Sequence, residues 1–224
     1  MKYYVFAPSM NKKVVGHYHQ TESVVYPIEL YKPPYNGKFT KGEFLDFNPE
    51  AQIILHKKAF LTDFIDGSPQ GFGIFLNDKA KELLKGFNLP PHKYHPIKVM
   101  HKGDQIAGYY WLHFFVDLYQ FIDREMSFYE LIDQSTKEVS LNGKIESEGQ
   151  MYQIFKKYGG DFRINIEYHF MSQMPKYDLF ANNIHVGYKY MSEKLVDMIK
   201  EKQITGYDFV EAKNLFLEIE KVGK

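Results

Sequence analysis

Phe162, Ile164, Ile166, Tyr168 and Phe170 alternate with Arg163, Asn165, Glu167 and His169 over nine consecutive residues. A period of two places the five apolar side chains on one face of an extended chain, so this segment is a strand with one buried side. The rest of the chain supports the same architecture. It carries 18 Tyr, 19 Phe and 1 Trp in 224 residues, and aromatic side chains favour pleated, half-buried surfaces. The expected fold is α+β: mostly antiparallel or mixed sheets with a few short helices packed against them. The length suits a single domain over 1–224, or two lobes: a strand- and loop-rich half with one helix over 1–103, and an α+β half over 104–224.

Two helices announce themselves by their caps. Asn77 precedes Asp78, Ala80, Leu83 and Leu84, with Gly86 as the stop; Ser192 precedes Glu193, Leu195, Val196 and Ile199, with Gly206 beyond. Each has a short polar cap, an acid in the first turn and an apolar stripe. Each follows a strand (Gly73–Leu76, Ile184–Met191) and precedes another (Ile97–Met100, Tyr207–Val210), so the two stretches are either equivalent units or, the preferred reading, two helices that obey the same capping rules. A third helix begins at Ser147, with Met151, Ile154, Phe155 and Tyr158 on one side and Gly159-Gly160 as its end. Further strands are expected at Tyr3–Phe6, Val24–Tyr26, Ile106–Val116 and Tyr119–Tyr129, and a type I′ hairpin turn at Asn142-Gly143. The stretch from Pro27 to Gly42, with Pro33-Pro34 and Asn36-Gly37, is expected to be a surface loop.

Composition limits the chemistry. With no cysteine there is no disulfide, no thiolate nucleophile and no cysteine-ligated metal. The 28 basic and 28 acidic residues balance, and Arg124 and Arg163 are the only arginines. That argues against specific nucleic-acid reading, which favours the arginine fork, and against a strongly acidic DNA-mimicking surface. No apolar run is long enough to span a membrane. Pro8 and Asn11-Lys12-Lys13 interrupt any signal-peptide-like stretch at the start, so a cytoplasmic protein is expected.

His17 and His19 share a strand face and are the beginning of a metal site, but nothing nominates a third ligand among Asp46, His56 and the rest; the plain reading is exposed histidines. Neither a metal nor a cofactor is therefore expected. No P-loop, HExxH, EF-hand or G-x-S-x-G pattern is present, and Gly71 and Gly73 lack the third glycine of a dinucleotide loop, so no catalytic residue is nominated. Asp123-Arg124-Glu125 and Asp161-Phe162-Arg163 read either as ion pairs holding strands in register or as arginines held ready for an anionic partner. Tyr18, Tyr31 and Tyr35 lie in loop-rich sequence, where rigid amphipathic rings either serve interfaces or cover the edge of the core. With Asp123 and Arg124 they are the candidate partner-binding residues.

Several stretches together carry a resemblance: Leu61–Ile65, Gly73–Lys85, Tyr109–Leu112 followed by Ile122–Phe128, and Tyr190–Leu195 with Ile204–Phe209 behind it. In this order they resemble a bacterial family catalogued as a domain of unknown function, whose members are proposed to be immunity proteins of polymorphic toxin systems. The resemblance spans roughly residues 60 to 210 and includes Asp63, Phe64, Asp123, Ser127 and Gly206. It implies a non-enzymatic factor that binds a cognate toxin stoichiometrically, blocking its active site or its folding interface. Two other readings are kept: a small-molecule-binding protein or hydrolase with an aromatic- and histidine-lined pocket, and a structural subunit of a larger assembly.

Overall fold

The computed structural model describes residues 2–25, 43–67, 73–158, 162–171, 173–181 and 188–217. The elements run β1 (Tyr3–Pro8), α1 (Lys12–Val15), β2 (Thr21–Val25), β3 (Gln52–Leu55), β4 (Phe64–Ile65), β5 (Gly73–Asn77), α2 (Asp78–Leu84), β6 (His92–Pro96), β7 (Lys98–His101), β8 (Asp104–Ile106) and β9 (Tyr109–Phe114). They continue as β10 (Phe128–Asp133), β11 (Val139–Lys144), α3 (Glu148–Tyr158), β12 (Phe162–Phe170), β13 (Leu179–Ala181), β14 (Lys189–Ser192), α4 (Glu193–Glu201), β15 (Tyr207–Glu211) and β16 (Leu215–Leu217). The strands form four four-stranded sheets, β13-β14-β1-β15, β11-β10-β12-β16, β2-β3-β7-β8 and β4-β5-β9-β6. The fold is α+β, with mostly antiparallel or mixed sheets and short helices. None of the described helices is long and apolar enough to cross a membrane.

The chain forms two compact units, a smaller one from 117–176 with the segment from Ala212, and a larger one from 2–116 with 177–211. In the smaller unit the alternating segment is β12, paired antiparallel with β10 and parallel with β16. The β10–β11 hairpin corrects the sequence expectation. Asn142 and Gly143 lie inside β11, opposite Glu130 and Tyr129, and the chain reverses earlier, after Asp133. The Asp133 carboxylate accepts from Ser135 N (2.7 Å), Thr136 N (3.0 Å) and the Ser135 hydroxyl, a local side-chain turn that wins over the Asn-Gly signal. Gly143 is a glycine for a different reason: a Cβ there would lie 2.8 Å from the Tyr129 hydroxyl oxygen. Ser147 caps α3, accepting from Gln150 N (3.1 Å), while the Gln150 side chain accepts from Glu146 N (2.9 Å).

The aromatic stretch Tyr119–Tyr129 is not a strand along its length. Asp117 accepts from Tyr119 N (3.0 Å) and starts a 3-10 turn over Leu118–Gln120. Asp123 then accepts from Glu125 N and Met126 N, and extended structure resumes only at Phe128. Two well-placed aspartates outweigh the strand preference of the rings between them.

The larger unit uses one motif twice. β4 folds back onto β5, Asn77 ends β5 and caps α2, and β6 follows; β13 folds back onto β14, Ser192 ends β14 and caps α4, and β15 follows. The registers coincide, with Phe64 opposite Leu76 and Leu179 opposite Met191, at a constant separation of 115 positions (64 to 179, 76 to 191). A fourth strand completes each sheet, β9 between β5 and β6, and β1 between β14 and β15. β9 follows its copy in the chain whereas β1 precedes its own, so the second copy is circularly permuted.

The same hydrogen bonds recur in both copies. Asp63 O accepts from Asn77 N and its Oδ1 from Asn77 Nδ2 (3.0 Å); Asp178 O accepts from Ser192 N and its Oδ1 from the Ser192 hydroxyl (2.6 Å), the partner lying 14 residues on in both cases. Tyr109 donates to Thr62 O and Tyr3 to Tyr177 O, each at 2.8 Å. Burial first, then the neighbouring aspartate, pushes the Tyr109 phenol up to about 12 and raises that of Tyr3 as well.

The second carboxylate oxygen of each aspartate crosses to the other copy. Asp63 Oδ2 accepts from Thr205 N (2.8 Å) and Thr205 Oγ1 (3.0 Å), just past α4, while Asp178 Oδ2 accepts from Asn88 N (2.8 Å), just past α2. Gly206 follows Thr205 with φ +110, and an added Cβ would meet Phe64 O at 2.0 Å, so only glycine brings the turn this close. The resemblance positions Asp63 and Gly206 are thus parts of a crossed pair of latches.

β5 is buried on both faces. Ile74 and Leu76 enter a core with Phe6, Leu112, Phe114, Leu179, Met191 and the inner faces of α2 and α4. Phe75, Ile65 and Trp111 enter a second core with Ile53, Leu55 and Val99 from the β2-β3-β7-β8 sheet.

Lys189 on β14 is 9% exposed, faces Ala181 across the sheet and has no carboxylate partner among the described residues. Desolvation lowers its amine to about 8 from 10.5. Between those values the unfolded chain holds the extra proton, so wild-type stability rises with pH from 8 to 10.5 and carries the full penalty below 8. Lys189→Met is expected to stabilise the protein by about 3 kcal/mol at pH 7, with the advantage fading above pH 8 in urea titrations. An unchanged or lowered midpoint at pH 7 would contradict this.

Candidate binding surface

Tyr18 lies in the larger unit, in the segment between α1 and β2. A buried polar frame fixes this segment. The Asp66 carboxylate, 2% exposed as a residue, accepts from Thr21 N (2.7 Å), Gln20 N (3.0 Å) and His19 Nδ1 (3.1 Å), and its carbonyl accepts from the Thr21 hydroxyl (2.7 Å). Gln20, also buried, donates from Nε2 to Phe60 O (2.8 Å) and to Thr62 Oγ1 (2.9 Å). Phe60 N donates to Val15 O (2.9 Å), tying residues 56–62 to the end of α1. The satisfied donors and acceptors make this a rigid support.

On this support stand rings. Tyr18 stacks on His19 at 4.0 Å between centroids, and His17 stacks on His56 at 3.6 Å, with His17 Nδ1 2.9 Å from His19 O. Phe60 is 52% exposed and Leu61 45%. Partial desolvation, then the His17 ring, lowers the His56 pKa, and Lys57 and Lys58 add to this while Glu22 opposes it.

The arrangement bears on the metal reading of His17 and His19. His17 lies flat against His56 and His19 is directed to Asp66, so the two imidazoles do not converge. Among the described residues no three His, Asp or Glu side chains are grouped to hold a metal.

The other candidates lie elsewhere. Tyr31 and Tyr35, with the Pro27–Gly42 stretch, lie outside the described residues. Asp123 and Arg124 belong to the smaller unit. Asp123 is a turn residue, capping Glu125 N (2.9 Å) and Met126 N (3.1 Å) and accepting from Ser127 N through its carbonyl. The Ser127 hydroxyl is buried and bonds the His169 backbone at 2.9 and 3.2 Å. Arg124 is exposed and makes no ion pair with a described residue. The proposed partner of Arg163, Asp161, lies outside the described residues.

The histidine-lined pocket is not formed from His95 and His113. Both are buried on β6 and β9, packed with Trp111 at 5.3 and 4.7 Å between ring centroids. A cleft of about 500 Å³ does open on the larger unit, between Asn48, Glu50, Lys98, Gln105 and Tyr110, and its lining contains no histidine.

Phe60, Leu61 and His56 were not nominated by sequence. The available signal was a Phe-Leu pair between Lys57-Lys58-Ala59 and Thr62-Asp63. Comparison with known proteins matches no family model, and no curated protein is similar in sequence.

Proposed function

We propose that the protein is a non-enzymatic protein-binding factor, an immunity protein that neutralises a cognate bacterial toxin by stoichiometric binding. The observation that carries this reading is the pair of ring stacks, Tyr18 on His19 and His17 on His56, above the Asp66 and Gln20 frame, with the exposed Phe60 tied to that frame through its carbonyl. Rings locked before contact lose little freedom on binding, and tyrosine is enriched among residues that dominate binding energy. The resemblance over roughly residues 60 to 210 supplies the class of partner.

The test is co-purification from the native bacterium, with co-expression of the neighbouring gene product as a toxicity assay. A one-to-one protein partner and protection from toxicity are expected. Tyr18→Ala combined with Phe60→Ala is expected to weaken that complex roughly 100-fold, with the unfolding midpoint close to wild type. Neither partner nor protection would overturn the reading. A complex unaffected by the double variant would move its interface away from this surface.

A further inference from the structure

We infer that the Tyr18 surface takes an acidic segment of its protein partner, through a lysine rim, Lys57 and Lys58, beside the stacked imidazoles. This rests on the protein-binding reading above and adds the chemistry of what is bound.

Exposed Lys57 and Lys58 directly follow His56, and both charges act on its ring. Lys58 N is 3.1 Å from His56 Nδ1, so the backbone holds the second lysine at the imidazole edge. Two exposed lysines therefore flank His56 in a chain whose total charge is zero. Glu22 is the one acid that acts on His56, and Asp66 is buried beneath, saturated by backbone and His19 donors. Concentrated positive charge within a neutral protein steers an oppositely charged partner and sets its orientation.

The complementary ligand presents carboxylates at the rim and apolar or aromatic groups to Tyr18 and Phe60. A polypeptide fits better than a nucleic acid. Phosphate recognition favours the planar arginine fork, and neither arginine of the chain belongs to this unit. Lysine ammonium groups act as point charges that take carboxylates without fixed bidentate geometry.

The experiment measures fluorescence anisotropy with the full chain and three labelled probes: a dodecapeptide alternating Asp or Glu with Tyr and Leu, its Asn/Gln analogue, and a single-stranded DNA dodecamer. The acidic peptide is expected to bind, and to weaken about tenfold between roughly 50 and 300 mM salt as screening shortens the reach of the rim. Lys57→Gln with Lys58→Gln is expected to cost about tenfold while thermal unfolding stays unchanged, and Tyr18→Ala removes binding at either salt. Equal binding of the neutral analogue overturns the acidic-partner inference and leaves the ring surface as the binding element. Tighter binding of the oligonucleotide, or no binding of the acidic peptide, also overturns it. Co-purification of the native partner then decides independently whether the protein-binding reading stands.

Discussion

Asp178→Ala is expected to destabilise the protein by about 3 kcal/mol, and Asp63→Ala by a similar amount. Each carboxylate is buried, with its residue 6% and 7% exposed. Removing Asp178 leaves the Ser192 hydroxyl and Asn88 N–H without their acceptor, at the N-terminus of α4 and the exit of α2 respectively. Removing Asp63 does the same to Asn77 Nδ2, Thr205 N and Thr205 Oγ1. An unsatisfied buried donor costs more than a hydrogen bond contributes, so truncation is worse than the net worth of the pairing. Because each aspartate bridges both copies, the damage travels. Hydrogen exchange in Asp178→Ala should rise at Asn88, beside α2, as well as at Leu195, the amide capped by Ser192. Urea unfolding of the double variant should fall short of the summed single losses by about 1 kcal/mol, as expected for coupled sites. Exchange that rises in one copy alone, or a loss under about 1 kcal/mol in either variant, would show that the latches do not join the copies.

Acid is expected to unfold the protein through His95 and His113. Desolvation lowers both imidazoles to about 4 from 6.5; Lys93 lowers both further, and for His113 the His95 ring also contributes. Among the described residues His95 Nε2 and both His113 ring nitrogens are buried without a hydrogen-bond partner, and the two rings are 6.2 Å apart. Neutral imidazole suits that environment and imidazolium does not. The unfolded chain takes protons from pH 6.5 downward while the folded chain resists until about 4, so stability is full above 6.5 and lost as pH falls through that window. Each group contributes up to about 3 kcal/mol. Trp111, the single tryptophan, stacks on His113 and reports the transition by its fluorescence. His113→Phe should flatten the stability profile between pH 4 and 6.5. A wild-type profile already flat there would remove the histidines from the account.

What the sequence disclosed was local. Asn77 and Ser192 cap their helices because an N-cap needs only a short polar side chain and the next turn of backbone. The alternation from Phe162 to Phe170 is a strand for an equally local reason. β6 went unseen because His92-Lys93-Tyr94-His95-Pro96 follows a double proline and carries no apolar run; its strand state comes from pairing with β9. Asn142-Gly143 mimicked a turn because the need for glycine there is set by the Tyr129 ring on the neighbouring strand. The likeness of the two capped helices was legible, but shared capping rules accounted for it equally well, and the crossing between them joins residues 142 positions apart and has no local trace. At the candidate surface Tyr18 was legible as a ring in loop-rich sequence. The stacking of His17 on His56 and the exposure of Phe60 depend on the Asp66 and Gln20 bonds, which tie together segments 40 to 46 residues apart.

The crossed latches also bear on the birth of the chain. Asp63 cannot close until Thr205 has been made, and β1 waits for both β14 and β15. The chain must leave the ribosome as far as Thr205 before the first copy has its last partner, so the first copy cannot be completed on its own as synthesis proceeds. A product cut off between the copies would keep the core around Trp111 but leave Ile74 and Leu76 without Leu179, Met191 and α4, and quality-control proteases would find it open there.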